Sequence, residues 1–132
     1  MIRRIAAVLI GIVAAVAVVF VVEMVGHNVY PPPTDLDFTQ PEVVTAYMKT
    51  LPIGAFVFVL GGFALATFIG GFVAAKIVGD RPGLYAGIVG ALMLCATGAN
   101  LLMIPHPLWF SATAIALILA ATVMAARLAR RK

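Results

Sequence analysis

The chain has 132 residues, 64% of them hydrophobic and 11% charged, with a net charge of +4. A soluble domain is roughly 45–50% apolar and about 25% charged, and a fold this small has too little interior to hide the excess. These figures argue against a water-soluble enzyme, a disordered tail or a nucleic-acid-binding module, and the single cysteine, Cys95, leaves no internal disulfide chemistry.

The first apolar run, Ile5 to Gly26, carries one charge, Glu23. Arg3 and Arg4 give it the basic start of a secretory signal, and Ala15-Val16-Ala17 has a faint cleavage pattern. The run continues past Val25, however, well beyond the 7–15 residues of a signal core. A retained helix is therefore expected over about 5–26. His27 to Pro52 is the one long connection. Pro31-Pro32-Pro33 is stiff, extended and without backbone donors. Thr39 then reads as an N-cap, with Pro41 in the first turn and Glu42 three residues after the cap. Val43, Val44, Tyr47, Met48 and Leu51 fall near one face, which predicts a short amphipathic helix on a membrane surface.

Three further apolar runs follow, at about 53–78, 84–104 and 108–126. Each of the four is about 19 residues or more, enough at 1.5 Å per residue to cross a ~30 Å hydrocarbon core as a helix. Gly79-Asp80-Arg81-Pro82-Gly83 is a tight turn, with Gly79 placed to end one helix and Asp80 to cap the next. Ile104-Pro105-His106-Pro107 is another. The expected class is all-α: a single polytopic membrane domain over 1–132, a four-transmembrane-helix bundle with a short amphipathic helix in an outer loop at 27–52.

The basic residues orient it. Arg3, Arg4, Lys76, Arg81, Arg127, Arg130, Arg131 and Lys132 fall at one side, and only Lys49 at the other. The positive-inside rule then places both termini in the cytoplasm of an inner membrane. The basic balance becomes flanking charge and contact with anionic lipid, so no nucleic-acid partner is expected. Tyr30 and Trp109 on the outside and Tyr85 on the inside stand where interfacial aromatics are expected.

Small residues recur every fourth position. Ala7, Gly11 and Ala15 do so in the first helix, and Gly62, Ala66, Gly70 and Ala74 in the second. Gly83, Gly87, Ala91, Cys95 and Ala99 follow in the third, and Ala112, Ala116 and Ala120 in the fourth. Such grooves let helix backbones approach closely, so Gly62, Gly70, Gly83 and Gly87 are expected packing positions. A surplus groove would serve a homodimer or a membrane-protein partner, and Gly61-Gly62 with Gly70-Gly71 is its candidate.

Polar residues are few. Glu23 and His27, four apart, share a helix face, and Asn100 and His106 lie at the same depth. An ionisable group within a span is costly and a functional candidate by default. Glu23, His27 and His106 could hold a transition metal, relay a proton or, through the histidines, ligate haem. They could equally pair with one another or reach to the headgroups. No cofactor is required by any motif, and the metal question stays open. No nucleophile array, phosphate-cradling loop or hydrolytic carboxylate pair is present, so no enzymatic activity is expected.

Glu23-Met-Val-Gly-His27 followed by Tyr30-Pro-Pro-Pro33, Gly70-Gly71-Phe72-Val73-Ala74-Ala75-Lys76, and Asn100 through Trp109 together resemble small, uncharacterised four-helix inner-membrane proteins of bacteria. The resemblance spans the whole chain and implies the topology, not an activity. In size and helix count the chain is also similar to small multidrug-resistance transporters, which carry a membrane glutamate on the first helix and work as dimers. That likeness implies proton-coupled transport of a small molecule or cation through Glu23. The chain departs from it in placing Glu23 near the helix end, in a third helix poor in aromatics and in a longer outer loop. A structural or accessory protein, associating with itself or a partner, is the first expectation, and the transporter is the alternative.

Overall fold

The computed structural model describes residues 1–131; Lys132, one of the flanking basic residues, lies outside the described residues. Among these residues there are five helices and no strand: α1 (Ile2–Val29), α2 (Pro41–Thr50), α3 (Ile53–Val78), α4 (Pro82–Met103) and α5 (Leu108–Arg130). All but α2 are long and apolar enough to cross a membrane.

The boundaries follow from local chemistry. Gly79, at φ +80°, closes α3 in the left-handed region that glycine tolerates, and its N–H donates to the Ala75 carbonyl. Pro82 and Pro41 occupy first-turn positions that need no N–H. Helices α1 and α5 run beyond their apolar stretches, to Val29 and to Arg130, because hydropathy marks only the apolar span and a polar or basic residue does not by itself end a helix. Two expected caps are differently placed. Arg81, in a left-handed conformation, precedes α4, and Asp80 instead pairs with Arg4 at 2.9 Å. Gln40 precedes α2, and Thr39 donates both its N–H and its hydroxyl to Asp37. In each case the expected cap is engaged with another side chain instead of the helix end.

Helix α3 is the centre, packed against α1, α4 and α5, while α1 also touches α4. Small residues dictate the closest seam. A Cβ placed on Gly70 would stand 2.6 Å from the Gly11 carbonyl oxygen and 2.9 Å from the Ala15 Cβ. Ala7, Gly11 and Ala15 of α1 and Gly62, Ala66, Gly70 and Ala74 of α3 are accordingly buried. On the next face of α3, a Cβ on Gly71 would meet Ala125 at 3.3 Å and Ala86 at 3.5 Å. Gly62, Gly70 and Gly71 are thus consumed within the chain, and the Gly61-Gly62 and Gly70-Gly71 groove is not surplus.

The expected grooves of α4 and α5 are corrected by the structure. Ala91, Cys95 and Ala99 are exposed, and a Cβ on Gly87 would meet nothing within 4 Å. Gly83 faces the Arg130 guanidinium, not a helix backbone. The buried face of α4 carries Tyr85, Ala86, Val89, Gly90 and Thr97, and Gly90 receives Thr122 of α5. Ala112, Ala116 and Ala120 are likewise exposed, whereas Phe110, Ala114, Ile118, Ala121 and Ala125 are buried. Tyr85 is core, packed with Ala7, Ala74, Val78 and Val89, not an interfacial residue.

The two ends of the four long helices differ. At one end, Arg3 donates to the Ile77 carbonyl at 2.6 and 3.1 Å, and Lys76 donates to the Arg131 carbonyl at 2.9 Å. These cations satisfy terminal helix carbonyls and oppose the helix dipole. The other end carries the loop, α2 and the polar residues.

Candidate functional site

Val19, Val22, Glu23, Gly26 and His27 of α1, with Tyr30 at its C-cap, recur at three- and four-residue spacing and so form one face. That face lines a cavity of about 310 Å³. Val59, Gly62 and Phe63 of α3 form its floor side, Asn100 and Ile104 come from the end of α4, and His106 and Phe110 from the following turn and α5. From Tyr30 down to Val19 the α1 wall is about 16 Å deep.

The roof comes from the long connection. Phe38 of the loop, Tyr47 and Met48 of α2, and Leu51 after it line the cavity. Met48 and Leu51 also pack on the cluster of Phe56, Leu60, Phe110 and Ala114. Helix α2 meets the long helices through its side chains, with Val44 buried and Met48 packed on that cluster.

All four polar residues singled out in the sequence line this one cavity: Glu23, His27, Asn100 and His106. Asn28 does not; its amide donates back to the Met24 carbonyl at 2.8 Å. His106 is held firmly. Its Nδ1 lies 2.7 Å from the Ile104 carbonyl, and its ring stacks on Phe110 with centroids 4.6 Å apart and planes at 15°. A carbonyl only accepts, so Nδ1 carries the proton and Nε2 is left as an acceptor in the neutral ring. Burial pushes the His106 pKa below its usual value, and the bond to Ile104 only partly opposes this.

Glu23, His27 and Asn100 are exposed to the cavity and its mouth, and their side chains find no partner among the described residues. Glu23 and His27 share a face but are not joined as an ion pair. Among the described residues no group of three His, Cys, Asp or Glu side chains is gathered closely enough to hold a metal. The three-ligand set of Glu23, His27 and His106 is therefore corrected: the residues share a cavity, not a coordination sphere. The span hydroxyls are spent locally, with Thr67, Thr113 and Thr122 donating to Phe63, Trp109 and Ile118 carbonyls.

The aromatic wall was not foreseen. Phe56 and Phe63 stand seven apart on α3 and both meet Phe110, at 5.6 and 6.5 Å between centroids. Their spacing is a visible signal, two turns on one face, but it does not reveal that α1 stands away from them. No protein-family model, curated protein or solved structure matches the chain.

Proposed function

We propose that this is an integral inner-membrane protein, a four-helix bundle with both termini cytoplasmic, that binds a small molecule in the cavity at its outer end. The observation that carries this is the convergence of Glu23, His27, Asn100 and His106, drawn from α1, α4 and a turn, on one aromatic-walled cavity. A concave, mostly apolar pocket with a few convergent polar groups is the common form of a small-molecule site. Glu23, His27 and Asn100 make no side-chain hydrogen bond or ion pair with another described residue, so their polar atoms are free to meet a ligand. The gathering of Arg3, Arg4, Lys76, Asp80 and Arg130 at the opposite end supports the orientation. In this reading α2 is an amphipathic roof at the outer surface, with Val44 and Met48 inward and Glu42 and Lys49 outward. No catalysis is assigned, and transport of a cation through Glu23 is the form the reading takes if the cavity also opens inward.

The test is accessibility. Asn100→Cys in a Cys95→Ala background should react with a small, membrane-impermeant thiol reagent added from outside. Val59→Trp, which fills the cavity from its exposed wall, should abolish that labelling without unfolding the protein. Labelling that is absent, or indifferent to Val59→Trp, refutes the reading. A second property, association with another copy or a partner, is supported by the exposed small residues Ala91, Cys95 and Ala99, continued by the half-buried Gly87, which has open space at its Cβ position. Oxidative cross-linking at Cys95 in native membranes would give a dimer if two copies meet there, and monomer alone would reject a copy-to-copy contact on that face.

A further inference from the structure

We infer that the cavity opens sideways into the outer leaflet between α1 and α4, and that its ligand is a single acyl chain of a membrane lipid. This deepens the small-molecule reading above and rests on it, orientation included. Two helices that touch at one end and part at the other leave a slot between them. Near the arginine-rich end, Ala7 and Val8 of α1 meet Tyr85, Val89 and Met93 of α4 in one cluster. Ala96 and Asn100 continue the Tyr85, Val89 and Met93 line by three- and four-residue steps, so they stand on the same face of α4. Both are nonetheless exposed, and Asn100 lines the cavity together with Val19 and Glu23 of α1. Leu101 accounts for the divergence: it packs with Phe56, Leu60, Phe110 and Ala114, which holds the outer end of α4 on α3 and α5. The other flank of α1 is shut. Val22 packs so closely on α3 that a Cβ on Gly62 would stand 2.8 Å from its Cγ1.

The depth of the slot decides what stands against it. Asn100 and Ala96 lie about 6 and 12 Å below the helix end at Ile104, within the ~15 Å that one leaflet contributes to the hydrocarbon core. The material at the opening is therefore acyl chain, not water. The lining is graded in the same sense as a leaflet. His27, Tyr30 and Tyr47 stand at the top, Glu23 and Asn100 about a turn of α1 lower, and only Val19, Val22, Gly62 and Phe63 below them. The upper groups include donors, among them both tyrosines and the Asn100 amide, as well as acceptors. Such a mixed set suits the hydroxyls and esters of a glycerolipid and selects no headgroup charge. The lower part offers apolar and aromatic surface alone, which favours a hydrocarbon chain. The cavity's 310 Å³ is the liquid volume of about ten waters, room for roughly ten chain carbons and not for two chains side by side.

The test uses a monodecanoylglycerol whose chain ends in a photoreactive diazirine, with the whole protein in lipid nanodiscs and adducts mapped by peptide mass spectrometry. Adducts on Val19 and Phe63 should disappear when unmodified monodecanoylglycerol is added, because a single site saturates. Adducts on Leu9 and Val13, exposed on α1, report bulk lipid and should not be competed. Ala96→Trp, which plugs the slot from α4, should remove the Val19 and Phe63 adducts, and the smaller Ala96→Leu should remove part of them. Thermal unfolding at the parent's midpoint, with the Leu9 and Val13 adducts retained, shows that each variant is folded. Cavity adducts that compete no better than those on Val13, or that persist undiminished in Ala96→Trp, overturn the lateral lipid site. If Asn100→Cys still labels from outside and Val59→Trp still blocks it, that failure leaves the cavity reading standing.

Discussion

Gly70→Ala is the sharpest test of the packing. The new Cβ would meet the Gly11 carbonyl oxygen at 2.6 Å, the Ala15 Cβ at 2.9 Å and the Val89 Cγ1 at 3.3 Å. The first is backbone and cannot rotate away, so α1 and α3 must separate by somewhat under 1 Å. A gap of that size forfeits roughly a quarter to a half of each dispersion contact, and the seam holds some tens of contacts at about 0.1–0.2 kcal/mol each. The loss falls in the range of about 1–3 kcal/mol typical of overpacking. Alanine recovers up to about 1 kcal/mol of helix propensity, so the net effect is destabilising. Gly61→Ala is the matched control, since its Cβ would meet nothing within 4 Å and only the propensity gain remains. Reversible unfolding in mixed micelles should rank Gly61→Ala at or above the parent and Gly70→Ala clearly below it. If Gly70→Ala is as stable as Gly61→Ala, the close α1–α3 seam is not the structure.

The α4–α5 contact at Gly90 should behave as a coupled pair. Gly90→Ala collides with Thr122 and should cost about 1–3 kcal/mol, while Thr122→Ala in the same chain should restore most of it; additive losses in the double-mutant cycle would refute the contact. The Arg4–Asp80 pair joins side chains that are 54% and 50% exposed, so Asp80→Asn should change stability by less than about 1 kcal/mol and lose even that in high salt. His106 supplies a pH dependence. Its pKa is lower folded than unfolded, so the unfolded chain binds the extra proton. Its contribution is complete above the unfolded value of 6.5 and is lost as pH falls through 6.5 towards the folded pKa. The midpoint of thermal unfolding should therefore decline from pH 7 to pH 5 more steeply in the parent than in His106→Gln. Equal slopes would detach His106 from the transition.

The long helices were legible because a span must be apolar along its whole length, a signal that does not depend on what packs against it. The α1–α3 seam was legible as well, since the one line of small residues read from each of those helices is the one buried there. Helix α4 offers two. Gly83, Gly87, Ala91, Cys95 and Ala99 make the more regular line, but Ala86 and Gly90, flanked by Tyr85 and Val89, are the ones buried. Spacing alone cannot choose between two small faces, and the choice is made by bulk on the partner: Thr122 needs the space at Gly90. The polar residues were legible by rarity, and their common depth by counting residues from the turn. Their relation was not, because whether Glu23 and His27 meet each other or share a void depends on how far α1 stands from α4 and α5.

That distance is a consequence of the glycine seam and the roof together. Close approach of α1 to α3 is sustained from Ala7 to Gly26, where a Cβ would come within 3.3 Å of Phe58. Helix α1 is thereby tied to α3 along most of its length and makes its contact with α4 in a cluster around Ala7, Tyr85 and Val89, at the arginine-rich end. At the opposite end Phe110 packs on Phe56 and Phe63, which draws α5 to α3 and leaves the flank of α1 at Glu23 and His27 facing open space. A short connection would leave that space a surface notch. The 23 residues between α1 and α3, with three prolines to hold the chain extended and α2 carrying Met48 towards the Phe56–Phe110 cluster, cover part of it. Trimming the connection to a tight turn by deleting 33–49 should therefore leave the α1–α3 seam and the helices intact while removing the roof. Labelling of Asn100→Cys should become faster and no longer be limited by the roof. Unchanged labelling would mean that the connection does not cover the cavity, and a loss of helical signal would mean that it supports the helices themselves.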